Sequence, residues 1–335
     1  MEELKRELEK LSKTYVDTPE KEEKILIPFI KRLLELSVKE RRKFLPTIRE
    51  LQWIKGKFSE TFCDHHRARF LGAVQFVCGN KREMDLGYHI DFNLLCKLLS
   101  LYTPSWLAEY INDAESYLNF NISYEQLMQL IDMGYMQELS PKRIAQILPG
   151  YICIRSSLPK GKDTFNSDLL LKREITLKEH IWYLFEQESS IGYHNDRAQT
   201  AYKEGTTSRD ESFSAAFYRF SLDGHLDRNR LLRATLSTFN RSFKKDMVNW
   251  FAGLFEELQP RAEELISLQE EIMQVFTSPY TKPVNVMLQQ LKKIASEGGF
   301  HYQEFIERAT TLFFSSPKNS LLTIYSIFEQ IVTGH

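Results

Sequence analysis

An all-α fold of helical hairpins is predicted by three features of this chain. Apolar side chains recur at helical spacing through most of its 335 residues. Glycine (14) and proline (11) are sparse, so long loops and tight β-hairpins are few. One stretch, residues 223–276, reads as three consecutive amphipathic helices with very short joints. Helices joined so tightly must run antiparallel or nearly so.

That stretch sets the pattern for the rest. Gly224 suits the left-handed turn that closes a helix. Asp227 can cap the next helix by accepting from its first-turn amides. Leu231, Leu232, Thr235, Leu236 and Phe239 form the first apolar stripe, and residues 240–242 allow a joint. Phe243, Met247, Trp250, Phe251, Leu254, Phe255 and Leu258 form a second, broader stripe. Pro260 breaks it, and Leu265, Ile266, Leu268, Ile272, Met273 and Phe276 form the third. Large aromatics in such stripes are core far more often than they are a ligand cage, so Trp250 and Phe251 are read as core.

Before this stretch the same signals recur less clearly. Leu4, Leu8 and Leu11 line one side of a charged N-terminal helix. Pro19 opens the next helix, and Pro28 is expected to kink or restart it. Ser37–Glu40, Ser123–Gln126 and Thr176–Glu179 each have the form of a capping box. The first should open a helix carrying Phe44, Leu45, Ile48, Leu51, Trp53 and Ile54, with Pro46 interrupting its first turns. Asp64 can cap a helix that ends at Gly79-Asn80. Thr103-Pro104 and Ser140-Pro141 are cap-then-proline starts, the second helix closing at Pro149-Gly150. Residues 151–173 are turn-rich and basic, with a short extended piece at 151–155, and residues 187–209 read as a polar connection. Three regions follow: an N-terminal helical array (1–150), an irregular connection with one helix (151–209) and a C-terminal helical-repeat region (210–335).

After residue 276 a repeat becomes visible. Phe276-Thr277-Ser278-Pro279 and Phe314-Ser315-Ser316-Pro317 share the pattern F-[TS]-S-P, 38 residues apart. Each lies between two amphipathic helices. A hairpin recurring near this period marks HEAT-like or armadillo-like arrays, whose units run about 40–47 residues. The expected architecture is therefore an α-α superhelix, a solenoid of helical hairpins. The chain ends just after an apolar helix, whereas such arrays need polar caps, so a longer native array is expected.

The run from Leu226 to Pro260 resembles a bacterial family of long helical proteins catalogued as domain of unknown function 6493. Its members carry a similar L-D-R-x-x-L-L-x-A-x-L, a W-[FY] pair one helix later and an x-L-x-P break. Here those positions are Leu226, Asp227, Arg228, Leu231, Leu232, Ala234, Leu236, Trp250, Phe251, Leu258 and Pro260. The resemblance covers roughly residues 213–335. It implies a helical-repeat fold and association with larger bacterial assemblies, and it carries over no catalytic residue.

Composition narrows the function classes. Apolar residues make up 42% and charged residues 27%, ordinary for a folded protein, and 23 phenylalanines supply ample core. With 44 basic and 45 acidic residues the net charge is -1, which weakens any reading as a bulk nucleic-acid binder. The four cysteines form no CxxC pair and behave as small apolar residues of a reduced, cytoplasmic chain. The charged N-terminus is not a secretory signal, and no apolar run is long enough to span a membrane.

No nucleophile elbow, phosphate loop or catalytic pair is present, so no catalytic residue and no cofactor is named. Cys63, Asp64, His65 and His66 are the densest metal-capable group, but consecutive residues at a helix start point apart, so no metal site is assigned. Basic clusters are the stronger candidates for binding. Arg41, Arg42, Arg67 and Arg69 fall within one region, and Arg228 and Arg241 within the three-helix stretch. Aligned on one concave face they would form an anion-binding groove, an arrangement that helical-repeat DNA glycosylases resemble. Two functions are weighed. One is a non-enzymatic α-solenoid scaffold that holds a protein partner on its concave face. The other is a helical-repeat nucleic-acid binder with a basic groove, acting on damaged bases. A small-molecule enzyme using 151–173 as a lid is a weaker third, for want of a nucleophile or base.

Overall fold

Amphipathic helices carry the chain in a computed structural model that describes residues 1–14, 18–55, 60–62, 65–84, 90–113, 122–156, 161–314 and 317–334. The helices are α1 (Glu2–Ser12), α2 (Pro19–Leu34), α3 (Val38–Arg41), α4 (Leu45–Gln52), α5 (His65–Cys78), α6 (Phe92–Leu101), α7 (Leu107–Asn112), α8 (Tyr124–Asp132) and α9 (Pro141–Tyr151). They continue with α10 (Glu174–Lys178), α11 (Tyr183–Glu186), α12 (Ile191–Lys203), α13 (Phe213–Leu222), α14 (Arg228–Ser237) and α15 (Lys245–Glu257). The last four are α16 (Ala262–Gln274), α17 (Thr281–Lys292), α18 (Tyr302–Thr310) and α19 (Lys318–Gly334). Two short antiparallel ladders, β1 (Trp53–Lys55) with β2 (Glu60–Phe62) and β3 (Cys153–Ile154) with β4 (Thr164–Phe165), are the strands among the described residues. The fold is all-α. The chain divides into two compact units, Met1–Arg143 and Ile144–His335.

The first unit is built around α5. Every residue from Ala68 to Cys78 is buried, and α1, α2, α3 and α4 pack against this helix. A helix buried on all sides must satisfy its own polar groups. Gln75 accepts from Gln52 Nε2 at 3.2 Å and donates to the Glu83 carbonyl. Burial pushes the Cys78 thiol up to about 12, which leaves it an unreactive apolar filler. The capping boxes at Ser37 and Ser123 form as their spacing requires, and Asp91 caps α6 by accepting from the Leu94 amide at 2.9 Å. Cys63 and Asp64, with the cap assigned to Asp64, lie outside the described residues.

Several expectations are corrected. Helix α2 does not restart at Pro28 but runs on to Leu34, and α9 continues through Pro149 to Tyr151. Pro28 is exposed, so water can satisfy the carbonyl that loses its amide partner. Trp53 and Ile54 leave the helix and enter β1, as β-branched and aromatic residues do when a partner strand is present. Thr176 is not a cap. It lies fully buried inside α10, and the chain passes through a 3-10 turn at His180–Trp182 before α11. The polar stretch 187–209 contains a helix of 13 residues, α12. Its buried face is Ile191, Asn195, Ala198 and Ala201, too small and too polar to register as an apolar stripe.

From α14 to α19 one local arrangement occurs three times among the described residues: a helix, a 3-10 turn, then a second helix. The turns are Thr238–Asn240 after α14, Val275–Thr277 after α16 and Thr311–Phe314 after α18. Helix α14 packs on α15 and α16, α15 on α17, α16 on α17, and α17 on α19. All the apolar residues of the α14 stripe are buried, as are Met247, Phe251, Leu254, Phe255 and Leu258 of α15. Each such side chain is worth about 1.5–3 kcal/mol when removed from water.

Arg228 joins three of these helices. Its guanidinium pairs with Glu264 at the start of α16 (Nε–Oε1 2.6 Å, Nη2–Oε2 3.0 Å). The same group donates to the Leu258 and Gln259 carbonyls at the end of α15, at 2.8 and 3.2 Å, and to Ser221 Oγ at 3.2 Å. Gln259 is in the left-handed region at φ 46°, the turn that closes α15 before Pro260 and the Arg261 cap of α16. Burial raises the Glu264 carboxyl, but Arg228 and the Arg261 amide outweigh it and hold it below its ordinary 4.5.

Arg228→Ala strands a carboxylate and two carbonyls. It is expected to cost about 2–3 kcal/mol in urea unfolding, below the about 3–5 of a fully buried pair because the partners keep some exposure. A loss under about 0.5 kcal/mol would remove Arg228 from this role. Because the Glu264 pKa is depressed on folding, its stabilisation is present above the unfolded value and lost as pH falls through the lower folded value. The stability gap between wild type and Glu264→Gln should therefore shrink below about pH 4.5. Asp227→Ala removes the α14 cap, whose oxygen accepts from the Arg230 amide at 2.6 Å, and should cost about 1 kcal/mol in the same assay.

Candidate functional site

Helix α15 has two faces. Its apolar stripe points into the core, with Phe251 fully buried. Trp250 sits at the edge of that stripe, half-buried, with its ring edge-on to Phe251 at 4.9 Å between centroids. On the other side of Trp250 lies Gly192 of α12. A Cβ on Gly192 would stand 3.4 Å from Trp250 Cβ and Cγ, which is ordinary contact distance, so α12 packs directly beside the indole.

Between α12 and α15 runs a cleft of about 580 Å³, also reached by Lys282 of α17. Tyr193, largely exposed, and Trp250 supply its aromatic surface, and Asp196, Asp246 and Lys244 its charges. A second hollow of about 560 Å³ lies between α15 and α17, lined by Lys245, Tyr280, Asn285 and Val286 among others. Asn249 and Lys282 line both, so the two hollows adjoin, and together they make up a groove along α12, α15 and α17 with Asn249 in the wall between them.

The polar groups of this groove are unevenly used. Tyr280 donates to the Phe243 carbonyl at 3.1 Å, and Asn285 accepts from Ser320. Lys244 lies 3.7 Å from Glu188, a loose surface pair. Asn249 Oδ1 is buried and has no hydrogen-bond partner among the described residues. A buried amide oxygen left unpaired costs about 1–3 kcal/mol. Behind Tyr193, burial pushes the His194 imidazole below its ordinary 6.5, against the opposing bond from its Nδ1 to the Ser190 carbonyl at 3.0 Å.

The arginines singled out in the sequence do not gather in this groove. In the first unit Arg41 is buried. It donates to the Val77 carbonyl at 3.2 Å and lies 4.7 Å from the centre of the Tyr102 ring. Arg42 pairs with Glu83 at 2.9 Å and Arg69 with Asp91 at 2.8 Å, while Arg67 is half-buried on α5. In the second unit Arg228 holds the helix joint. Arg241 lines a separate hollow of about 450 Å³ with Arg230, Arg233 and Trp182. There the Arg230 guanidinium lies 3.9 Å from the centre of the Trp182 ring, and Arg233 pairs with Glu271. Among Cys63, Asp64, His65 and His66, the first two lie outside the described residues.

Sequence reading passed over Tyr193, Asn249 and Lys282 and assigned Trp250 to the core. One signal was available. Met247, Phe251, Leu254, Phe255 and Leu258 already complete a helical face, which leaves Trp250 at its margin. Because Asn249 Oδ1 has nothing to lose in the unliganded chain, Asn249→Ala is expected to leave urea stability within about 0.5 kcal/mol of wild type or to raise it. A loss above about 1 kcal/mol would mean that its amide supports the fold.

No helix among the described residues is long and apolar enough to cross a membrane. Comparison with curated proteins and with solved structures finds no match. The family model described as Domain of unknown function (DUF6493) matches residues 2–319, and so reaches across the first two thirds of the chain, where the sequence shows no recognisable motif. Over nearly its whole length, therefore, the chain belongs to the DUF6493 family.

Proposed function

We propose that this chain is a non-enzymatic α-solenoid scaffold that binds a protein partner in the groove along α12, α15 and α17. The observation that carries the reading is the groove itself: Trp250 and Tyr193 offer apolar contact area beside charges of both signs. Tryptophan and tyrosine are the residues in which protein-binding hot spots are enriched. Three successive hairpins with matching 3-10 joints support a solenoid, since stacking them extends one row of helices into a continuous surface. Exposed apolar side chains on the last hairpin, including Phe314, Leu322, Tyr325 and Val332, add further surface suited to association. The groove holds charges of both signs, which suits a mixed protein segment better than a polyanion.

A second reading, nucleic-acid binding, draws on the hollow where Arg230 stacks on Trp182 beside Arg233 and Arg241. Arginine on an aromatic ring is a surface on which a base or phosphate can settle. Asp227 and Glu186 line the same hollow and weaken its field. The two readings separate by salt and by variant. Under the scaffold reading, a partner captured after nuclease treatment stays bound at raised salt. Trp250→Ala then weakens that partner at least tenfold, about 1.4 kcal/mol or more, while Arg241→Ala does not. Capture that is lost with salt, restored by added nucleic acid and abolished by Arg241→Ala would overturn the scaffold reading.

A further inference from the structure

Away from the groove, one group of side chains has the composition of a metal site. Glu270 lies on α16, His301 is the residue that caps α18, and Glu304 stands in the first turn of α18. His301 Nδ1 is 3.7 Å from Glu270 Oε1 and 3.9 Å from Glu304 Oε2. One ligand atom from each residue lies within 4.8 Å of the other two. We propose that Glu270, His301 and Glu304 bind a divalent transition-metal ion, zinc by preference.

The donor set favours zinc over the hard cations. One imidazole nitrogen with two carboxylate oxygens suits an ion that accepts both donor types, whereas magnesium and calcium prefer oxygen alone. Zinc bonds of about 2.0–2.2 Å in a tetrahedron place ligand atoms roughly 3.3 Å apart. The imidazole-to-carboxylate separations exceed that by about half an ångström, a gap that rotation of the partly exposed glutamate side chains closes. His301 and Glu304 are three residues apart, so they share one face of α18, and Glu270 approaches from the neighbouring helix. Partial exposure of all three leaves a path for the ion from solvent and room for water to complete its coordination.

The surrounding bonds hold the ligands in place, as metal ligands require. Gln269, next to Glu270 and almost fully buried, accepts from the His301 amide at 2.7 Å. Its own amide donates to the Gly299 carbonyl and to the Ile266 carbonyl, each at 2.9 Å. Gly299 fits there because a Cβ would come within 3.1 Å of Ile266 Cγ2. The residue beside one ligand thus fixes the backbone of another. Arg308 donates to Glu304 Oε1 from Nε at 2.8 Å, and its Nη2 lies 2.7 Å from the same oxygen, while Oε2 is the oxygen nearest His301. Sequence spacing could not expose this group, because Glu270 and His301 are far apart in the chain and meet only when α16 and α18 pair. The site is independent of the proposed groove, and its test does not involve a partner.

The test is isothermal titration of zinc chloride into the chelator-stripped chain, with thermal unfolding in parallel. Wild type is expected to bind one zinc at these residues with Kd of about 10 μM or tighter, and zinc should raise its unfolding temperature. His301→Ala and Glu270→Gln should each bind at least tenfold more weakly and lose the zinc-dependent shift, while a His65→Ala/His66→Ala double variant keeps both. Circular dichroism establishes that each variant folds, which is expected because the replaced side chains are partly exposed. Zinc affinity unchanged in His301→Ala and Glu270→Gln would overturn the site, as would no binding up to about 1 mM. Magnesium binding as tightly as zinc would overturn the assignment to a transition metal.

Discussion

The joint at Arg228 is the constraint on which the second unit depends. A helix end leaves carbonyls without partners, and a helix start leaves amides without partners. At this joint one end and one start meet, and a single guanidinium serves the end directly and the start through a carboxylate. It takes the Leu258 and Gln259 carbonyls as α15 finishes and the Glu264 carboxylate as α16 begins. Glu264 in turn accepts from the Arg261 amide at 2.8 Å. Because Arg228 is also the first residue of α14, the angle between two successive hairpins is tied to one side chain.

This joint also gathers residues that carry the chain's resemblance to the family. Leu226, Asp227 and Arg228 lie at the start of α14, and Leu258 and Pro260 just beyond the end of α15. They look like separate motifs in the chain. In the folded unit Leu226 and Leu258 are buried, Asp227 caps the helix, and Arg228 reaches across to the Leu258 carbonyl. In this chain those residues build a helix joint.

The outward faces of the same helices follow from the packing. Helix α15 must bury its apolar stripe, so the residues at the margin of the stripe come to line a groove against α12 and α17. Gly192 of α12 packs against Trp250 from the side away from Phe251. The Asn249 oxygen is held in the wall between two hollows without a partner among the described residues, which lowers stability. The pairing of α16 with α18 has a similar result on another surface, where a buried glutamine holds the backbone that presents His301.

Much of the fold was legible in the residues themselves. Apolar periodicity located α13 to α17 and α19, and local chemistry located the caps at Ser37, Ser123 and Asp227, because a capping bond spans only three residues. Gly224 at φ 77° and the break at Pro260 were equally local. Where sequence reading failed, the deciding contact was distant. Helix α12 shows only a faint stripe because it is covered by neighbours that need small residues, and Trp53 and Ile54 left their helix for a strand formed with residues 60–62. Arg41, Arg69 and Arg228 looked alike as basic residues, yet a carbonyl, an aromatic ring or a carboxylate brought from elsewhere in each unit gave each its role. The sequence alone determined that the chain is helical and where most helices begin and end, since those depend on neighbours along the chain. Which charges are engaged, which aromatic lines a groove and which histidine meets two carboxylates were decided only by tertiary structure, because each depends on residues 20 or more positions away.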